Sequence, residues 1–68
     1  MNALEAEKKK VSAVDVILQD MRERIFLNDF DTSRPITEAE ISELYDTSRS
    51  NIRIVLQTLE SEGLVIIT

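Results

Sequence analysis

The sequence predicts a mainly α fold: three helices followed by a short C-terminal strand. Three observations lead there. Apolar residues recur at helical period over residues 11–27, 38–45 and 48–62. Thr37 and Ser48, both good N-cap residues, stand directly ahead of the second and third stretches. An aliphatic run, Leu64-Val65-Ile66-Ile67-Thr68, follows Gly63, the single glycine of the chain.

Sixty-eight residues hold one small domain, whose core supplies only a few kcal/mol of net stability. We divide the chain into a charged arm, 1–10, and a helical domain, 11–68. Cysteine and histidine are absent, which removes disulfides, thiolate zinc sites and imidazole ligands. No signal peptide is legible and no apolar run can span a bilayer, so a soluble cytoplasmic protein with no membrane partner is expected. The formal net charge is −5, which works against non-specific affinity for nucleic acid. It leaves local cationic surfaces possible.

The arm ends in Lys8-Lys9-Lys10 and reads as frayed or partly helical, solvated or lying along phosphate. In the first helix, 11–27, Val11, Val14, Ile17, Leu18, Met21 and Ile25 keep the helical rhythm. Asp15, Asp20, Arg22, Glu23 and Arg24 take the other side. Val16, Phe26 and Leu27 widen the apolar surface beyond one stripe, and so predict packing against a second chain. Residues 28–35 read as a loop by composition, with Phe30 tucked beneath it. Pro35 and Ile36 favour extended geometry.

Thr37-Glu38-Ala39-Glu40 matches a capping box, with Thr37 as N-cap and Glu40 reaching back from N3. The second helix then runs to about Tyr45, with Ile41, Leu44 and Tyr45 expected to face inward. Asp46-Thr47 interrupts it. In the third helix Ile52, Val55, Leu56 and Leu59 fall at i, i+3, i+4 and i+7, the spacing of one buried face. Ser48 caps it and Gly63 is placed to end it in a left-handed conformation. A short helix, a tight turn and a longer helix form a helix-turn-helix. The aliphatic run after Gly63 is a strand whose partner is either Pro35-Ile36, another copy or an absent hairpin.

The third helix opens on Ser48-Arg49-Ser50-Asn51, and no acid occurs from Thr47 to Thr58. Such a start suits a DNA groove, since Arg pairs with phosphate or guanine and Asn with adenine. The competing reading is a solvated polar face on an ordinary amphipathic helix.

From about Ile17 to Val65 the chain resembles the winged helix-turn-helix DNA-binding domain of GntR-type bacterial transcription regulators. Two motifs carry the resemblance: Ser48-Arg49-Ser50-Asn51-Ile52-Arg53-Ile54-Val55-Leu56, and Leu59-Glu60-Ser61-Glu62-Gly63-Leu64-Val65. Ile36-Thr37-Glu38 matches the family's start to the second helix. The chain departs from the pattern at Asp31 to Arg34, where a Pro-Gly pair is usual, and at Asp46-Thr47 in the turn. Ile54 stands where an acid is usual. The wing hairpin and ligand-sensing domain have no counterpart, so the fold is read as an incomplete wing, in either a truncated chain or a stand-alone small relative.

The resemblance implies that Arg49 and Arg53 carry the main contacts to double-stranded DNA, from a third helix (about 48–62) in the major groove. Ser48 caps the helix and is a phosphate candidate. Ser50 and Gln57 share the outward side and are base-reading candidates. Asn51 flanks that side, for phosphate or adenine, and Arg34 is a further phosphate candidate. A homodimer is expected; cofactors are not. The alternative is a winged-helix-like module that binds protein without DNA, favoured by the acidic charge, Ile54 and the open strand. An enzyme has no support: no nucleophile–base pair, phosphate loop or isolated carboxylate pair stands out.

Overall fold

The computed structural model describes residues 12–68. The expected arm over 1–10, its lysine run and Val11 lie outside the described residues. Helix α1 spans Ala13–Phe26. Ser12 caps it, its Oγ accepting from the Asp15 N–H at 3.2 Å. At the other end Asn28 adopts φ 58°, in the left-handed region that Asn tolerates better than most side chains. The Asn28 N–H donates to the Ile25 carbonyl and the Asp29 N–H to that of Arg24, at 3.1 and 2.8 Å. These are the two bonds of a Schellman cap, and they satisfy carbonyls the helix end would otherwise leave free. Of the expected helix, 11–27, Ser12 is therefore the N-cap and Leu27 the C-cap, both outside the helix itself.

Helix α2 spans Glu38–Leu44 and has both halves of the predicted capping box. Thr37 Oγ1 accepts from the Glu40 N–H, and the Glu40 carboxylate accepts from the Thr37 N–H. The chain leaves α2 at Tyr45 in an extended conformation. Helix α3 spans Arg49–Ser61, with Ser48 Oγ accepting from the Asn51 N–H at 3.2 Å. It ends at Gly63, φ 75°, with Gly63 N–H bonded to the Glu60 carbonyl and Leu64 N–H to that of Leu59. Here too the cap is a Schellman motif, and Leu64 turns back onto the core as that motif's hydrophobic residue usually does.

Helix α3 is the hub: α1 and α2 both pack on it and not on each other. Ile52, Val55, Leu56 and Leu59 are at most 1 % exposed. Around them lie Ile17, Leu18 and Met21 of α1, Ile41 of α2, and Ile36 and Val65 from the extended segments. Each such burial is worth about 1.5–3 kcal/mol. Among the described residues no buried side-chain nitrogen or oxygen lacks a partner.

Two inward expectations meet different fates. Phe30 does pack against the core from its loop. Leu44, expected to face inward, is instead 45 % exposed. Because α2 packs on α3 alone, its two turns bury one residue completely, Ile41, and the last turn projects past the core. Tyr45 is half-buried beside it and rests against the core. The expected 64–68 strand is reduced to one parallel bridge between Ile36 and Ile67. Ile36 N–H donates to the Ile66 carbonyl at 2.7 Å, and Thr68 N–H to the Ile36 carbonyl at 3.1 Å.

Candidate nucleic-acid interface

The outward side of α3 follows directly from the buried one. With Ile52, Val55, Leu56 and Leu59 turned inward, a 3.6-residue period leaves Arg49, Arg53 and Gln57 in a row on the surface, one turn apart. Ser50, Ile54 and Ser61 flank that row, and all six are exposed. One of the three flanking residues is bulky and apolar, Ile54, 47 % exposed.

The candidates differ in what already holds them. Among the described residues no carboxylate lies within ion-pairing distance of Arg49. Arg53 donates one bond, from Nε to Glu38 Oε1 at 3.1 Å, across the α2–α3 junction. Arg34 is more heavily engaged. Its Nη1 donates to Glu40 Oε1 at 2.7 Å and to its neighbour's carbonyl, that of Pro35, at 3.3 Å. Its Nε lies 3.7 Å from Asp31 Oδ2. Asp31 is itself fixed, with Oδ1 accepting from both the Ser33 hydroxyl and the Ser33 N–H. Those two hydrogen bonds hold its carboxyl below the usual range. The Arg34 guanidinium and the Thr37 N–H hold the Glu40 carboxyl low in the same way. Arg34 thus ties the loop to α2 and faces carboxylates on two sides.

Ser48 Oγ is occupied by its cap bond. Asn51, half-buried, donates from Nδ2 to Thr47 Oγ1 at 2.8 Å. Its amide therefore braces the turn it follows, and only its remaining groups face outward. Arg49, Ser50, Arg53 and Gln57 are brought together on one face; Ser48 and Asn51 sit at its inner edge, and Arg34 stands apart against α2.

Sequence reasoning missed the acids. Glu40 serves the capping box that the sequence predicts, yet it and Glu38 each also hold an arginine. The Glu38–Arg53 bond joins residues 15 apart on different helices, so no local spacing rule could find it. A second missed cluster ties α1 to Tyr45, the residue just past the end of α2. The Tyr45 hydroxyl donates to Asp20 Oδ2, which also accepts from Arg24 Nε at 2.9 Å. The Arg24 guanidinium lies 5.9 Å from the centre of the Tyr45 ring. Burial and the bond to Asp20 push the Tyr45 hydroxyl up to about 12.

Among the described residues no cluster of acids forms a metal site, and no helix is long and apolar enough to cross a membrane. A family model described as bacterial regulatory proteins, gntR family, matches residues 13–68. No curated protein and no solved structure matches the chain.

Proposed function

The chain belongs to the gntR family of bacterial regulatory proteins, and on that premise we propose that it binds double-stranded DNA sequence-specifically, with α3 in the major groove. One observation carries the reading. Arg49 and Arg53 stand one turn apart on a surface row, on a helix whose opposite side is pinned by four fully buried aliphatic residues. A rigid helix presenting guanidinium groups at its N-terminal end matches the docking of a recognition helix. Arg49 and Arg53 contact guanine edges or adjacent phosphates; Ser50 and Gln57 read neighbouring bases. Ser48 and Asn51 act at the phosphate edge, through the groups their cap and turn bonds leave free. Arg34 is a phosphate contact only when DNA displaces Glu40.

The unit that does this is the domain from residue 11 to 68. It works in the cytoplasm, where bacterial DNA is, and as a homodimer, because Val16, Phe26 and Leu27 leave an apolar surface on α1 and its C-terminal cap. A dimer also doubles the phosphate contacts, which offsets the net charge of −5. Fluorescence anisotropy with duplexes drawn from a random-sequence pool tests the reading. Wild type should bind at low salt and release steeply as salt rises. Unchanged binding in both Arg49→Ala and Arg53→Ala would discard it.

One observation favours a second reading, a protein-binding module. Ile54 and Ile66 are 47 % and 59 % exposed near the same surface row and the open edge of the bridge. Binding through an apolar interface of that kind would barely respond to salt.

A further inference from the structure

We infer that Glu38 is a positioning residue for base recognition, holding Arg53 so that the guanidinium's terminal edge is presented to guanine. The inference rests on the DNA-binding reading of α3. Its basis is which nitrogen is used. Glu38 Oε1 accepts from Arg53 Nε alone, at 3.1 Å. The two Nη groups make no hydrogen bond among the described residues. Two parallel N–H donors on that free edge match the O6 and N7 acceptors of guanine in the major groove. A carboxylate on Nη1 or Nη2 would have blocked the edge, as Glu40 does for Arg34 through Nη1. The two acids thus act differently on two arginines: Glu40 sequesters, and Glu38 orients.

The anchoring is also sound. Glu38 belongs to the first turn of α2, a turn fixed by the Thr37–Glu40 capping box. The Arg53 backbone sits in the middle of α3, between the buried Ile52 and Val55. Both ends of the bond are therefore held by the core, while the pair itself is exposed, with side chains 60 % and 39 % open. An exposed pair adds little to stability. Its consequence is the lost rotamer freedom of Arg53, which otherwise would be given up on binding.

The test uses the full chain and a duplex selected by wild type from a random pool, with each guanine replaced in turn by 7-deazaguanine. The guanine read by Arg53 is the one whose replacement weakens wild type but not Arg53→Ala. Glu38→Ala should shrink that penalty about three- to tenfold, while its affinity for unselected duplex rises because a negative charge is gone. Glu38→Gln, whose amide oxygen still accepts from Nε, should retain most of the penalty. If Glu38→Ala tightens intact and 7-deaza duplexes by the same factor, Glu38 is only a repelling charge and the inference is overturned. It is also overturned if Arg53→Ala weakens binding without altering sensitivity to any 7-deazaguanine, since Arg53 would then touch phosphate. No loss of affinity in Arg53→Ala overturns the inference as well, since Arg53 would then make no contact, whereas the recognition role of α3 falls only if Arg49→Ala is also without effect.

Discussion

Helices α1 and α3 are nearly equal in length and bury the same kind of aliphatic stripe in one core, yet their arginines meet opposite fates. On α1, Arg22 donates from Nε and Nη2 to both oxygens of Glu62. Arg24 is held by Asp20, by Asp29 at 3.8 Å, and against the Tyr45 ring. On α3, among the described residues, Arg49 has no carboxylate partner and Arg53 is held through Nε alone. The outward apolar surface is reversed as well. Phe26 at the end of α1 and Leu27 in its cap are 84 % and 63 % exposed, whereas Ile54 is the exposed large apolar residue of α3. The contrast teaches that arginine count says little about nucleic-acid binding. What matters is which donor edges are left free once the protein's own acids are satisfied.

The comparison breaks most visibly at what the two helices share. Leu56→Ala should remove about 2–5 kcal/mol, enough to leave a domain this small largely unfolded, as urea titration followed by circular dichroism would show. Replacing an arginine should leave the fold intact and separate the helices. Arg49→Ala is expected to cost about 1–3 kcal/mol of specific DNA binding, and Arg22→Ala to change it by no more than about twofold. Equal losses in an anisotropy titration would erase the distinction drawn between paired and unpaired donors.

The helix ends differ too. Gly63 and Asn28 both take positive φ in Schellman caps, but only glycine is free of a Cβ there. A Cβ at Gly63 would meet nothing within 4 Å, so Gly63→Ala should show backbone strain alone, a thermal destabilisation of about 1 kcal/mol. Tyr45→Phe should cost about 1 kcal/mol by removing the bond to Asp20. Tyr45 is the one tyrosine in the chain, so its ultraviolet titration is clean, and its midpoint should fall near 12 and not at the ordinary 10. Because the folded value is raised, the stabilisation is whole below pH 10 and is lost as the pH climbs through 12. The smallest effect belongs to the outer side of α1. Phe26→Ser should move the stability of a dilute sample by less than about 0.5 kcal/mol. In sedimentation at high concentration it should dissociate the proposed dimer.

Some of the site could be read in advance because it depends on neighbours along the chain. Ser50 and Gln57 had to share the outward side once Ile52, Val55 and Leu59 were assigned to the core, while the resemblance pointed to Arg49 and Arg53. Asn28 too carries a local signal, since an Asn directly after an apolar helical stretch is a good left-handed cap. The state of each arginine was not legible, because a guanidinium reaches acids on other elements. Nothing in the order of residues pairs Arg22 with Glu62, which are 40 positions apart.

What the sequence determined by itself is the set of helices, their caps and their buried stripes, since each rests on interactions three to four residues apart. The capping box at Thr37 and the turn at Gly63 are decided within one helical turn. Tertiary structure alone decided the rest: that Leu44 overhangs the core, that Ile67 meets Ile36 in a single bridge, and that Glu38 lies beside Arg53. Those outcomes depend on the angles at which α1 and α2 dock on α3, and such angles are set by the packing of the whole core, not by any local run of residues.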